Sequence, residues 1–383
     1  MITSSSGVLR LRIDHVLVGI ALILSACGNS QTSDVTSSSS TVSYTVSGKQ
    51  ILDDKGKVFV PYGLQIIGSS MADNSWKTND SSRITLELMR QARDVWHSNT
   101  TRLQVSTVNL FAGIAYPKYN AEYLNRIDEI VGWASQLDMN IVLSLQYETA
   151  GSVHYTMPVQ DSLNFWKIVA PQYANNARVF FDLFNEPNKA DQLTGQSGDN
   201  DIAWNFWQNG GVGTDGVTYV GMQTLVDEIR NSGATNLIFA EGLAAGEDIV
   251  RLPNHTLSGS NIVYTVHPYL NATQHHTSAQ WDLWFGNSTN TLNAPVVADE
   301  WGQWSASPGC ITDAPTVVPE FLTYLQAHDI GLIGYAYWPN TSVVGWDITS
   351  PTRYASSTTQ CGASAPVEGA GELLRQHFED RVP

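Results

Sequence analysis

The sequence predicts a (β/α)8 barrel preceded by a short N-terminal β-hairpin. Three observations predict it. Short runs rich in Val, Ile, Leu and aromatic residues recur eight times, without the polar alternation of a one-sided sheet, as strands buried on both faces do. Segments with helical apolar spacing lie between them. Eight such units over about 340 residues fit a barrel that typically takes about 250 and grows by insertion. A doubly wound sheet usually opens on a Gly-rich phosphate turn, and no G-x-G-x-x-G follows the first strand here.

The elements follow in order. Alternation through Val42, Tyr44 and Val46, then Gln50-Ile51-Leu52, an Asp53-Asp54-Lys55-Gly56 turn and Val58-Phe59-Val60 read as the hairpin. The barrel strands are expected at Val58–Ile66, Thr101–Val105, Ile141–Leu145, Val179–Phe184, Leu237–Ala240, Ile262–Val266, Val296–Ala298 and Leu332–Tyr337. Helices are expected at Ile84–Trp96, Tyr123–Leu137, Pro158–Tyr173, Val220–Arg230, Ala279–Phe285, Val317–His328 and Gly371–Phe378, with a weak one at Ala244–Val250. Ile84, Leu88 and Ala92 recur at i, i+4, i+8, and Ile127, Ile130, Val131 and Ala134 share one face.

The two ends carry other signals. Arg10 and Arg12 precede an apolar run from Val16 to Leu24, too short to span a bilayer, which takes about 20 residues. The run ends in Leu24-Ser25-Ala26-Cys27, similar to a bacterial lipobox whose Cys27 is lipidated; the bland alternative is an ordinary signal peptide. Residues 1–27 are therefore expected to be a lipoprotein-type signal, 28–43 a Ser/Thr-rich linker with too little apolar content for a core, and 44–383 the barrel. The expected location is outside the cell, held to the envelope by that lipid anchor alone. Beyond Cys27 only Cys310 and Cys361 remain. In an exported chain they either pair or stay as two free thiols, and pairing is the expectation.

Composition excludes some partners. With 20 Lys and Arg against 36 Asp and Glu the formal charge is −16, which argues against nucleic acid and against a polybasic grip on lipid. Twelve Trp and 15 Tyr are a heavy aromatic load for a chain only 15% charged, and aromatic surplus at a cleft suits flat, neutral, hydroxylated ligands. No Cys-x-x-Cys pair occurs, and the adjacent His275-His276 point apart and read as a solvated loop, so no metal is expected. No G-x-S-x-G marks a serine esterase.

In a barrel the chemistry sits where the strands end. The tips carry Arg102, Gln146, Asn185-Glu186-Pro187, Glu241, His267-Pro268-Tyr269, Asp299-Glu300-Trp301-Gly302 and Trp338-Pro339-Asn340. Glu186 and Glu300 end the fourth and seventh strands, on roughly opposing arcs of the mouth. Glycosidic cleavage needs such a pair: one carboxyl that donates a proton to the leaving oxygen and one ionised group that attacks the anomeric centre. Asn185 can bond a ring hydroxyl, His267 and Tyr269 can tune the carboxyls, and Trp338 offers a flat platform. Arg102 reads either as an ion-pair partner supporting Glu300 or as a sugar contact. Glu241 reads as a spare carboxylate. Trp204, Trp207, Trp301, Trp304 and Trp346 are candidates for lining the cleft, and Trp96, Trp133 and Trp166 for the core.

Together Asn185-Glu186-Pro187, His267-Pro268-Tyr269, Asp299-Glu300-Trp301-Gly302 and Tyr337-Trp338 resemble glycoside hydrolase family five, the cellulase family A enzymes, over residues 44–383. The resemblance implies a retaining endo-β-glycanase with Glu186 as acid/base and Glu300 as nucleophile. It implies that Arg102, Asn185, His267, Tyr269 and Trp338 match the family's other site positions, and that Gln146 stands where the family has a sugar-contacting His. The implied substrate is a β-1,4-linked polysaccharide, cellulosic glucan foremost, with mannan and other β-glycans as alternatives. No cofactor is implied, and a monomer is expected. The competing reading is a catalytically silent carbohydrate-binding barrel.

Overall fold

The computed structural model describes residues 42–66, 84–146, 155–302, 311, 313–337 and 370–381. The readings that fall on Cys27, Cys310, Cys361, Trp304, Trp338 and Trp346 lie outside the described residues.

Strands β1 (Tyr44–Ser47), β2 (Gln50–Asp53) and β3 (Val58–Phe59) form a small antiparallel sheet in that order. Its second turn is set by Asp53, whose Oδ1 accepts the backbone N–H groups of Lys55 and Lys57 at 2.9 and 2.8 Å, with Gly56 in the left-handed region at φ +73°. The expected strand Val58–Ile66 breaks at Pro61, which has no N–H to give a ladder, and resumes as β4 (Tyr62–Ile66). The chain continues through α1 (Leu86–Asp94), β5 (Thr100–Val105), α2 (Thr107–Phe111), α3 (Ala121–Gln136), β6 (Asn140–Leu145), α4 (Gln160–Tyr173) and β7 (Val179–Asp182). After α5 (Ala190–Leu193) and α6 (Asp201–Asn209), the strands β8 (Gly210–Val212) and β9 (Thr218–Val220) make a separate hairpin. Helix α7 (Met222–Asn231), strands β10 (Ile238–Glu241) and β11 (Ile262–Thr265), and helix α8 (Ser278–Trp281) follow. A π-helical turn over Asp282–Gly286 leads from α8 into α9 (Asn287–Thr291), and β12 (Val296–Trp301), α10 (Ala314–Ala327), β13 (Gly331–Tyr337) and α11 (Ala370–Glu379) complete the order.

Eight parallel strands close into a barrel in the order β4-β5-β6-β7-β10-β11-β12-β13. The (β/α)8 reading holds, with α5, α6 and the β8–β9 hairpin as an insertion that the apolar periodicity did not single out. The barrel floor is a layer of Val142, Phe180, Phe239, Val263, Val297 and Ile333, all at most 1% exposed. The N-terminal sheet closes it from below. Ile51 joins that layer, and Tyr44 packs edge-on against Phe180 at 5.3 Å and against Phe59 at 4.6 Å. Apolar burial at the open end of the barrel thus accounts for a hairpin that adds no strand to it.

Two expectations fail here. Ala244–Val250 is not a helix: Ala244, Ala245 and Gly246 have φ of +56°, +61° and +80°, and a Leu243–Asp248 bridge closes the segment into a tight loop. Several Trp expected in the cleft are core. Trp204 and Trp207 are fully buried 5.3 Å apart on α6, and Trp301 is fully buried and stacked on Phe321 of α10 at 5.6 Å. Trp96 and Trp166 are buried as expected, and Trp133 is packed partly against the core.

Candidate active site

The site is built on alternation. In strands buried on both faces, residues two apart point into the barrel. Phe180 therefore places Asp182 inside, directly above the floor. Strand β5 turns Arg102 inward, and the fully buried guanidinium becomes the hub. Its Nη1 donates to Gln65 Oε1 at 2.7 Å and to Glu300 Oε2 at 2.6 Å. Its Nη2 donates to Asp182, Asn185 and Glu241, each at 2.8 Å, and its Nε faces Asp299 Oδ2 at 3.4 Å.

Strand β12 delivers two consecutive carboxyls to one cation because it is irregular. Ala298 pairs with Leu332 and Trp301 with Gly334, three residues of β12 against two of β13. Such a bulge re-aims side chains. Here Asp299 and Glu300 both reach Arg102, while Trp301 turns out to α10.

Glu186 comes from the segment after β7, which stays bonded to both neighbours: Leu183 N–H donates to Phe239 O at 3.0 Å and Asn185 N–H to Leu145 O at 2.8 Å. Glu186 itself has φ +55°, a left-handed conformation rare for a residue with a Cβ. Its side chain is 40% exposed, against 6% for Glu300. One oxygen of each carboxyl and a ring nitrogen of His267 all lie within 4.8 Å of one another. His267 Nδ1 is 3.3 Å from Glu186 Oε1, and its Nε2 is 3.3 Å from Glu241 and 3.4 Å from Asp299. Tyr269 donates its hydroxyl to Glu300 Oε1 at 2.8 Å, opposite the Arg102 contact.

Charge is unbalanced in this cluster. Burial works against a charged His267, but Glu241 and Glu300 outweigh it and hold the imidazole's pKa well above its usual range. One guanidinium and one imidazolium then face the carboxyls of Asp182, Glu186, Glu241, Asp299 and Glu300. Burial pushes Asp182 upward, against the pull of Arg102, and Glu241 well upward, against the pull of His267. Burial also raises Glu300, while His267, Arg102 and the Tyr269 hydroxyl pull the other way.

The geometry bears on Arg102, expected as an ion-pair partner or a sugar contact, and on His267, expected to tune the carboxyls. Arg102 and His267 are both fully buried beneath the mouth, with their donors turned to carboxyls, so neither presents itself to a ligand. The ion-pair reading of Arg102 is the one the geometry supports. Asn185 gives its Oδ1 to Arg102, which leaves its amide NH2 as the donor for a ligand. Gln146 lies at the end of β6, half-buried, with its N–H on Val105 O at 2.7 Å and a buried Oε1 that has no partner among the described residues. His275 is not solvated: it is 1% exposed, with Nδ1 3.0 Å from Tyr269 O, while His276 reaches Asp313 at 2.9 Å.

Glu186-His267-Glu300 and Glu241-His267-Asp299 are the groups among the described residues that could hold a metal ion. Arg102 already places a cation against Glu241, Asp299 and Glu300, and the surrounding carboxyls favour the protonated imidazole of His267, so positive charge of the protein's own already faces these donors. Gln65, Asp182 and Glu241 are parts of the cluster that sequence reading missed or set aside. The available signal was a polar residue inside an otherwise apolar strand, as in Tyr62-Gly63-Leu64-Gln65-Ile66 and Val179-Phe180-Phe181-Asp182.

Comparison with known proteins bears on the family and the fold. The family model for cellulase (glycosyl hydrolase family 5) matches residues 52–341. An endoglucanase of Clostridium saccharobutylicum is 23% identical over 262 residues, 68% of this chain and 50% of that protein. Endoglucanase A of Butyrivibrio fibrisolvens is 25% identical over 232 residues, 60% of this chain and 46% of that one. The chain thus spans about half the length of the curated relatives it matches. Among solved structures, a β-glucanase of Saccharophagus degradans superposes with a TM-score of 0.63 at 21% identity, covering 89% of this chain and 94% of that one. The same protein is also known in complex with cellotetraose, again at a TM-score of 0.63, with 20% identity and the same coverage. The catalytic domain of a Thermobifida fusca endoglucanase gives a TM-score of 0.60 at 16% identity, over 88% and 97%. With three quarters of its length matched by the family model, the chain belongs to the cellulases of glycosyl hydrolase family 5.

Proposed function

We propose that this protein is a retaining endo-β-1,4-glucanase with Glu300 as nucleophile and Glu186 as acid/base. The observation that carries the reading is that one oxygen of each carboxyl lies within 4.8 Å of the other, with one carboxyl held deep by Arg102 and Tyr269 and the other at the mouth. Retaining enzymes keep their carboxyls about 5–5.5 Å apart, whereas inverting ones leave room for a water at roughly 6.5–9.5 Å. The ionised Glu300 attacks the anomeric carbon as Glu186 donates its proton to the glycosidic oxygen. The C–O bond breaks, the shortened chain leaves as an alcohol, and a glycosyl ester forms on Glu300. Glu186, now a carboxylate, takes a proton from water as that water attacks the same carbon. Glu300 departs as carboxylate and Glu186 is again an acid. In this reading the amide NH2 of Asn185, whose Oδ1 is taken by Arg102, bonds the 2-hydroxyl beside the reacting carbon.

The names of the relatives, two endoglucanases and a β-glucanase known with cellotetraose, support β-glucan as the substrate class. Reducing-sugar release across a panel of cellulosic glucan, mixed-linkage glucan, xyloglucan and mannan tests it, with proton NMR of the first product formed. β-Anomer from a soluble β-glucan is the expected result; initial α-anomer overturns the mechanism, and preference for mannan overturns the substrate. The same reading has the chain exported and tethered through a lipid on Cys27, with Cys310 and Cys361 paired and the barrel acting as a monomer. A Cys27→Ser variant released from the membrane fraction, and thiol alkylation of unreduced protein, test the first two.

A further inference from the structure

The reaction drawn above makes no use of Glu241, yet this carboxyl is fully buried at the centre of the site. Its Oε2 accepts the backbone N–H of Glu186 at 2.6 Å. Its Oε1 accepts Arg102 Nη2 at 2.8 Å and lies 3.3 Å from His267 Nε2. One side chain therefore ties the main chain of the mouth carboxyl to both buried cations.

That main chain needs a tie. Glu186 sits at φ +55°, where a residue with a Cβ is strained, and strained backbone persists only where surrounding contacts over-determine it. The Asn185 side chain, whose Oδ1 accepts Arg102 Nη2, and the Ala245 N–H, which donates to Pro187 O at 3.0 Å, bracket the same turn. Glu241 is itself firmly placed. Its backbone carbonyl accepts Trp207 Nε1 at 3.0 Å, and the residue pairs with Thr265 of β11. Gly246 closes over it. A Cβ on Gly246 would come within 3.1 Å of Glu241 Oε2 and 3.0 Å of the His267 ring, so the loop walls the carboxyl off at contact distance.

We propose that Glu241 is a positioning residue for proton donation: it clamps the backbone of Glu186 in the one conformation that aims its carboxyl at the leaving oxygen. The inference rests on the reading of Glu186 as the acid. Without the clamp the Glu186 turn relaxes and the acid swings off line, while Glu300 keeps Tyr269 and Arg102.

The test compares Glu241→Gln and Glu241→Asp with wild type and with Glu186→Gln in the full chain. Gln keeps one acceptor but cannot serve both the Glu186 N–H and Arg102; Asp keeps the charge but withdraws it by one methylene. The substrates are a cello-oligosaccharide, whose leaving group needs a proton, and a dinitrophenyl β-cellobioside, whose leaving group does not. Both Glu241 variants are expected to lose roughly 10²-fold in kcat/KM on the oligosaccharide, at the low end of what a positioned general acid contributes. The aryl glycoside is expected to lose less than about tenfold, the same split as in Glu186→Gln. Equal losses on both substrates in folded Glu241 variants, with the split present in Glu186→Gln, overturn the positioning role alone. Absence of the split in Glu186→Gln overturns the acid assignment itself. If Glu241→Gln fails to accumulate as folded protein, Glu241→Asp is read by the same criterion, and a wild-type ratio there overturns the proposal.

Discussion

The Tyr269 hydroxyl donates to Glu300 Oε1 at 2.8 Å while Arg102 holds Oε2 at 2.6 Å, so both oxygens of the buried carboxyl are engaged from opposite sides. Burial alone would raise Glu300's pKa, and these partners oppose that rise. Glu300 must be ionised to attack. Removing the hydroxyl therefore raises its pKa further, and the acidic limb of the kcat/KM profile moves to higher pH. A hydrogen bond to a charged group is worth about 1.5–3 kcal/mol, so Tyr269→Phe should shift that limb by about one pH unit and lower kcat by at least tenfold. A limb that stays in place would show that Tyr269 does not bear on the ionisation of Glu300.

Glu300→Ala should lose roughly three or more orders of magnitude in kcat/KM, because the attacking carboxylate is gone. Added azide should partly restore turnover on an activated aryl glycoside and yield an α-glycosyl azide, the small anion entering the space of the lost side chain. Near-normal turnover in this variant would exclude Glu300 as nucleophile.

Much of this was legible in the chain because a parallel barrel gives its strands a strong signature and puts chemistry at their ends. The expected strand at Thr101–Val105 differs from β5 by one residue, and that at Ile141–Leu145 from β6 likewise. What stayed hidden were interactions that depend on several strands at once. A single Asp in Val179-Phe180-Phe181-Asp182 gives no sign that it meets an Arg 80 residues away. Glu241 looks spare in sequence because its partners, Arg102 within β5 and Glu186 and His267 beyond the ends of β7 and β11, come from three other strands. The loop after β10 reads as helical because Ala-Ala favours helix over a left-handed turn, and the Leu243–Asp248 bridge together with the Ala245 N–H on Pro187 O holds it in that turn against the local preference.

Arg102 is the cation for four buried carboxyls, Asp182, Glu241, Asp299 and Glu300. Arg102→Ala leaves them uncompensated, and breaking a buried ion pair on one side costs about 3–5 kcal/mol. The variant should unfold at lower urea than wild type, with the gap narrowing as pH falls, because protonation removes the repulsion. A deficit that is the same at pH 4.5 and pH 7.5 would mean that lost packing, not charge, is the cause.

The loop after β10 carries two adjacent carboxyls that burial pushes up, Glu247 to about 7 and Asp248 to about 6. A carboxyl whose folded pKa exceeds its unfolded value binds its proton more tightly in the folded state. Its contribution is fully present below the unfolded pKa of about 4 and is lost as pH rises through 6 to 7. Melting temperature should therefore fall between pH 5 and pH 8, and Glu247→Gln should flatten that fall by about 1 kcal/mol at the alkaline end. Identical slopes in the two proteins would remove Glu247 as a source of the dependence.

Gln146 poses a sharper question, because its buried Oε1 lacks a donor among the described residues and an unmet buried acceptor costs about 1–3 kcal/mol. A sugar hydroxyl arriving at the tip of β6 would supply that donor. If so, Gln146→Ala should raise KM for cello-oligosaccharides about tenfold with little change in melting temperature, because the group is satisfied only in the complex. Gln146→His supplies a side chain of similar size that both bonds and titrates. It should recover most of the binding and add a pH dependence near 6.5, the unperturbed imidazole value, as a positive charge appears beside the carboxyls. Charge near Glu300 lowers that carboxyl's pKa, so the acidic limb of the His variant should extend to lower pH than in wild type. An Ala variant with unchanged KM, beside a His variant with an unchanged profile, would place Gln146 against the barrel wall and leave the sugar contact to another residue.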